Sequence, residues 1–261
     1  MNIKVLTKTE FNNLLKKNPN TLFDEFVHEL TYENRFFCND TLCRVLLTYI
    51  SDIDFIIGRE REIDKDDIFY RSRIYKENDT TKNSNQEPKG YSIAESGAPD
   101  PKYCINANRC SPTYISYLYM SNSKETSIKE IGTTLESTIS IAEIRPKKEL
   151  RILDLSVDRC MVSSTKKQKW INKIIERIRD IFATLNNSPE VYIVCEYLSE
   201  FFKMNKYDGV CYTSSKSSNE KEINYVIFKQ ENCEISSPEL FEITDIKITF
   251  VKKQMAKYKK L

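Results

Sequence analysis

The side chains available for chemistry in this chain are arginines, tyrosines, glutamates and serines, because the usual catalytic signatures are missing. The 261 residues include one histidine, His28, and eight cysteines with no Cys-x-x-Cys pair. A Ser-His-Asp triad would have only His28 as its base, and a multi-histidine metal site has no ligand set. His28 falls on a helical face, where a lone histidine is usually structural. No Gly-x-Gly-x-x-Gly, phosphate-binding Walker loop or Gly-x-Ser-x-Gly is present. What remains is Arg71 and Arg73, Arg109, Tyr119, Glu130 eleven residues further on, and the pair Ser214 and Ser215. A guanidinium binds phosphate-type anions in bidentate fashion. A carboxylate stabilises positive charge that develops in a transition state. A phenol stacks on flat rings, and a serine hydroxyl gives or takes a hydrogen bond. Each also has an ordinary reading: a surface ion pair for Arg71, core for Tyr119, a solvated helix position for Glu130.

The elements that would hold these residues can be read from periodicity. Residues 68–74 (Ile-Phe-Tyr-Arg-Ser-Arg-Ile) alternate as a strand and carry Arg71 and Arg73. Residues 76–103 form a long polar loop, of a length that is usually functional or disordered. Residues 117–120 predict a short strand, and a helix with Ser123 as its cap begins near residue 126. Strands follow at 137–144 and 150–155. Residues 166–185 form an amphipathic helix with Trp170, Ile171, Ile174, Ile175, Ile178, Ile181 and Phe182 on one face. A second helix covers 191–204, and strands at 209–213 and 224–229 flank a Ser-rich loop. Before residue 65 the spacing is helical: Phe11, Leu14 and Leu15; Leu22, Phe23, Phe26, Val27 and Leu30; then Leu42, Val45, Leu46, Tyr49 and Ile50. Asn18-Pro19-Asn20 separates the first two helices, Asn39-Asp40 caps the third, and residues 52–67 read as a helix end and linker.

The order of these elements predicts an α+β fold. A small helical domain at 1–65 precedes a domain at 66–245 with a mixed or antiparallel β core and flanking helices, and 246–261 is a basic tail. The chain is 40% hydrophobic and 30% charged, with a net charge of +2, which is no strong nucleic-acid signal. No run of 18 apolar residues predicts a membrane span. The opening 17 residues carry no signal-peptide core, so the expected location is cytoplasmic. The cysteines, Cys38, Cys43, Cys104, Cys110, Cys160, Cys195, Cys211 and Cys233, are expected to be buried free thiols, with no metal.

Several stretches then carry a resemblance. Residues 109–121 read Arg-Cys-Ser-Pro-Thr-Tyr-Ile-Ser-Tyr-Leu-Tyr-Met-Ser, with Glu130 eleven residues after Tyr119. Upstream stand Phe69-Tyr70-Arg71 and Ala98-Pro99-Asp100-Pro101. Downstream come residues 139–142 and 150–155, then Tyr207-Asp208-Gly209 running into Ser214-Ser215, and a strand from Asn224 to Phe228. In this order they resemble the RES family, named for its Arg, Glu and Ser, whose fold is like that of ADP-ribosyltransferases. Tyr114 departs from the family pattern at a usual glycine, and Ser111 at a usual asparagine. The helical front, with Arg35-Phe36-Phe37, resembles the HEPN-type domain often joined to RES domains.

The resemblance implies an NAD⁺-cleaving enzyme, a toxin or defence effector that breaks the nicotinamide–ribose bond by hydrolysis or phosphorolysis. It implies Arg71 as phosphate clamp, with Arg73 competing for that role and Arg109 as a second clamp or a support. Glu130 would stabilise the ribosyl cation, Tyr119 would stack on nicotinamide, and Ser214 or its neighbour Ser215 would bond ribose or amide. Tyr70 and Asn224 complete the expected substrate-binding set. The implied partners are NAD⁺, inorganic phosphate as an acceptor, and an antitoxin or inhibitor protein, with a homo-oligomer left open and no cofactor beyond NAD⁺ as substrate. Two other readings stand beside it. One is ADP-ribose transfer to a macromolecule. The other is a catalytically inert binding module or an HEPN-like ribonuclease, although no histidine follows Arg35.

Overall fold

A computed structural model of the chain describes residues 4–36, 40–51, 60–76, 90–156, 165–217 and 219–247. The helical front begins with α1 (Lys8–Leu14), started by a capping box between Thr7 and Glu10. Next come α2 (Pro19–His28), with Asn18 as cap and a proline at its first position, a π-helical turn (Glu29–Glu33) and α3 (Asp40–Ser51). Strands β1 (Glu60–Ile63) and β2 (Phe69–Ile74) follow, then the single-turn helix α4 (Ile93–Ser96). The rest runs β3 (Leu118–Ser121), α5 (Lys124–Ile131), β4 (Thr138–Pro146), β5 (Leu150–Asp154), α6 (Lys166–Ala183), α7 (Pro189–Met204), β6 (Gly209–Thr213), β7 (Ile223–Ile227), β8 (Cys233–Ile235) and β9 (Glu239–Glu242). Asn39 and Phe37, residues 52–59 of the expected linker, Cys38, Cys160 and residues 248–261 of the expected tail lie outside the described residues.

The strands form one mixed sheet in the order β1-β5-β6-β7-β3-β2-β4-β8, with β9 also on β4. Only β5 and β6 run parallel among the described pairs. A parallel connection needs a long crossover, which α6 and α7 supply. The fold is the expected α+β arrangement of a helical front, a mixed sheet and flanking helices.

Alternation along the strands splits the core in two. On one face Val210, Tyr212 and Val226 meet α6 and α7 through Ile171, Ile174, Phe182 and Leu198. The other face gathers Phe69, Leu118, Met120, Ile144, Ile152, Tyr225 and Ile227. Phe11, Phe23, Phe26, Leu30, Leu42 and Leu46 of the helical front belong to the first of these cores. The Trp170 indole N–H donates to Lys17 O at 2.9 Å and its ring meets Phe11 edge-on. The boundary expected between residues 65 and 66 therefore falls between β1 and β2, two strands of one sheet, and the front shares the sheet's core. Strand β1, expected as linker, is an edge strand. Its charges hid it: Glu60 pairs with Arg151 and Arg61 with Asp154 of β5. No helix among the described residues is long and apolar enough to cross a membrane.

One irregularity interrupts the sheet. Strands β2 and β3 are adjacent but share a single paired position, Tyr70 with Ser121. Beyond it the register would set Ser72 opposite Tyr119, yet the strands have parted. The sheet is split there, and a cavity of about 410 Å³ opens beside the split.

Candidate active site

Helix α5 carries Glu130 to this opening. Ser123 caps its start, accepting from Thr126 N at 3.0 Å, and Gly132 in the left-handed conformation (φ 65°) ends it. The helix is tied on both sides. The Ser127 hydroxyl meets that of Ser72 on β2 at 2.6 Å, and Lys129 Nζ donates to Glu222 at 2.7 Å. Lys216 Nζ donates to the Glu130 carbonyl at 3.0 Å, a cation on the negative end of the helix.

Held this way, the Glu130 carboxylate receives two hydrogen bonds on one oxygen. Ser214 Oγ donates to Oε1 at 2.6 Å, and Asn224 Nδ2 donates to the same Oε1 at 2.6 Å. Asn224 Oδ1 in turn accepts from Ser121 Oγ at 2.7 Å. Among the described residues no donor reaches Oε2. Ser214 stands just past the end of β6, and Asn224 sits on β7 opposite Ser121 on β3, so three strands and one helix converge on one carboxylate.

Arg71 lines the same cavity. Its Nη1 donates to the Tyr119 carbonyl at 2.9 Å, bridging the gap where the β2–β3 ladder stops. Its Nε is buried with no hydrogen-bond partner, and no carboxylate pairs with the guanidinium among the described residues. Burial, with Arg73 nearby, lowers its pKa to about 10, which leaves it charged at neutral pH. A buried cation without a counter-ion is costly unless an anion completes the site.

The other expected residues divide. Tyr70, Arg109, Tyr119, Ser215 and Asn224 line the cavity. Arg73 turns away, donating to the Gly97 carbonyl at 2.8 Å. Gly97 packs so tightly that an added Cβ would meet Gln230 Oε1 at 2.5 Å. Arg109 spends its donors on Ile181 O, Phe182 O and Asn187 Oδ1 at 3.0–3.2 Å. These contacts place it at the C-terminal end of α6 while it also lines the cavity. The Tyr119 hydroxyl is likewise occupied, accepting from Cys110 N at 3.0 Å and meeting Ser111 Oγ at 2.9 Å. Burial raises its pKa well above normal, so the phenol stays neutral.

Tyr114, the departure at a usual glycine, keeps the glycine-like backbone. Its φ is 64°, its N–H donates to Cys104 O at 2.7 Å, and its ring is 61% exposed, away from the cavity. Ser111 sits against Tyr119. The reading from sequence missed Ser121, the Ser72–Ser127 bond and Lys216. Only Ser121 left a trace, because it lies two positions after Tyr119 on an alternating strand and so shares its face.

A family model described as the RES domain matches residues 86–249. The match begins after β2, so Arg71 lies outside it even though β2 pairs with β3 and β4 inside it. The helical front also lies outside it. Among solved structures, the crystal structure of the M. tuberculosis MbcT–MbcA toxin–antitoxin complex is similar, with a TM-score of 0.40 and 12% identity over 70% of this chain and 87% of that chain. No curated protein matches the chain.

Proposed function

The chain belongs to the RES-domain family, and from that premise we propose that it is an NAD⁺-degrading enzyme that cleaves the nicotinamide–ribose bond by hydrolysis or phosphorolysis, acting as a bacterial toxin or defence effector. The observation that carries this reading is the one-sided Glu130 carboxylate. Ser214 and Asn224 both donate to Oε1, and Oε2, which no donor reaches among the described residues, would face the substrate.

In the proposed reaction the bond from ribose C1′ to the pyridinium nitrogen breaks and its electron pair leaves with nicotinamide, cancelling the ring's charge. Positive charge then builds on the ribosyl carbon. A carboxylate fixed beforehand stabilises that charge more in the transition state than in the ground state. Glu130 Oε2 would also accept from a ribose hydroxyl or orient the acceptor. Water adding at C1′ and losing a proton gives ADP-ribose. Inorganic phosphate adding there gives ADP-ribose 1-phosphate.

Arg71 supports the same reading. Its guanidinium lies in the cavity with no counter-ion among the described residues, as a site for a pyrophosphate would require. The Tyr119 ring supplies an apolar wall for a flat base. As a toxin the protein would need a silencing partner, and an antitoxin or inhibitor protein that co-purifies with it is part of the proposal.

The test is incubation of the purified full chain with NAD⁺, with and without phosphate, and separation of the products. Nicotinamide with ADP-ribose means hydrolysis, and nicotinamide with the 1-phosphate means phosphorolysis. Label from the ADP-ribosyl half fixed to a macromolecule would turn the reading to ADP-ribose transfer. An intact NAD⁺ pool in both incubations would reject it.

A further inference from the structure

Asn224 has two ends of nearly equal size. One is a carbonyl that only accepts hydrogen bonds and the other an NH₂ group that only donates. Its Nδ2 faces Glu130 Oε1 at 2.6 Å. Turned over, its carbonyl oxygen would face the carboxylate, two acceptors in repulsive contact. Glu130 alone disfavours that orientation only while it is ionised and close. What holds the far end is Ser121, whose hydroxyl donates to Oδ1 at 2.7 Å.

Ser121 is well placed for this. It is 3% exposed, so water does not compete for the bond. It pairs with Asn224 across β3 and β7 and with Tyr70 across β3 and β2. It is thus the last position at which the three strands are zipped together before the sheet splits, and its own backbone is fixed on both sides. The geometry points to Ser121 as a positioning residue. We propose that its hydroxyl locks the Asn224 amide so that Nδ2 stays on Glu130 Oε1 and Oε2 stays turned to substrate. The effect on turnover rests on the NAD⁺ reading above, whereas the effect on the amide does not.

The experiment combines two readouts on the full-length protein. The first is the Asn224 side-chain NH₂ signal in ¹H–¹⁵N spectra, assigned by its loss in Asn224→Ala. The second is NAD⁺ turnover in a double-mutant cycle of Ser121→Ala and Asn224→Ala, with Ser121→Thr as the variant that keeps the hydroxyl. Ser121→Ala is expected to shift the amide signal towards that of a free, exchanging amide. It should also lower kcat about tenfold with little change in KM, the size of one lost neutral hydrogen bond. On the Asn224→Ala background the same substitution should do nothing further. Ser121→Thr should keep both properties. An unchanged amide signal in Ser121→Ala overturns the proposal. So does an equal loss of kcat on both backgrounds, because Ser121 would then act elsewhere. If the wild-type protein releases no nicotinamide, the NAD⁺ reading fails, and the amide signal alone decides the role of Ser121.

Discussion

Asn224 Nδ2 donates to Glu130 Oε1 at 2.6 Å across 94 residues of chain. That bond is one of several that tie α5 to the sheet beside its split, together with Ser214–Glu130, Ser72–Ser127 and Lys129–Glu222, so the carboxylate is fixed by partners distant in sequence.

Arg71 lies in the cavity with its Nη1 on Tyr119 O and no carboxylate partner among the described residues. Arg71→Lys keeps a charge but loses the planar fork, and should raise the KM for NAD⁺ about tenfold or more. Steady-state kinetics check this, and an unchanged KM would place the phosphates elsewhere.

Arg109 is assigned to hold the end of α6 through Ile181 O and Phe182 O. Arg109→Ala should therefore cost about 2 kcal/mol of stability in a denaturant titration. The KM of the remaining folded enzyme should not change. A raised KM at full stability would make it a substrate clamp instead.

Tyr114 adopts φ 64° with its ring in solvent. A non-glycine residue in that region carries about 1 kcal/mol of strain. Tyr114→Gly should raise stability by about that amount and leave turnover unchanged. A loss of turnover would show that the ring belongs to the substrate site.

Glu196 on α7 has its carboxyl pushed up to about 7, chiefly by burial, with Glu200 adding and Arg35 opposing. The folded state then holds a proton that the unfolded state releases between the ordinary value of 4.5 and about 7. This contribution weakens the fold as pH rises through that window and is complete above it. Glu196→Gln should raise Tm at about pH 8 and change it little at about pH 4. Equal shifts at both would contradict the assignment.

Much of this was readable in the sequence for physical reasons. The step from Tyr119 to Glu130 spans the end of β3, the Ser123 cap and two turns of α5, all local features with strong signals. The amphipathic α6 announced its buried face. Strand β1 was hidden because its charges are matched by partners some ninety residues away, as in the Arg61–Asp154 bond. Strands β8 and β9 are short, and β9 is largely exposed, so neither carries a pattern. Arg71 and Arg73 share strand parity, and only their tertiary partners, the Tyr119 carbonyl for one and the Gly97 carbonyl for the other, separate them. Arg109 reads from sequence as a clamp or a support, because nothing in sequence shows that the end of α6 arrives beside it. Ser121 was passed over because its partner, Asn224, is brought to it by sheet pairing alone.

The most direct measurement is nicotinamide release from NAD⁺ by the wild-type protein and by Glu130→Gln under single-turnover conditions. Glutamine keeps the size and the place of the side chain and removes the charge that would face the ribosyl cation. Release by the wild type, slowed by roughly 10² to 10³ in Glu130→Gln with the fold intact, is the predicted result. Equal rates in the two proteins would contradict the central role given to Glu130.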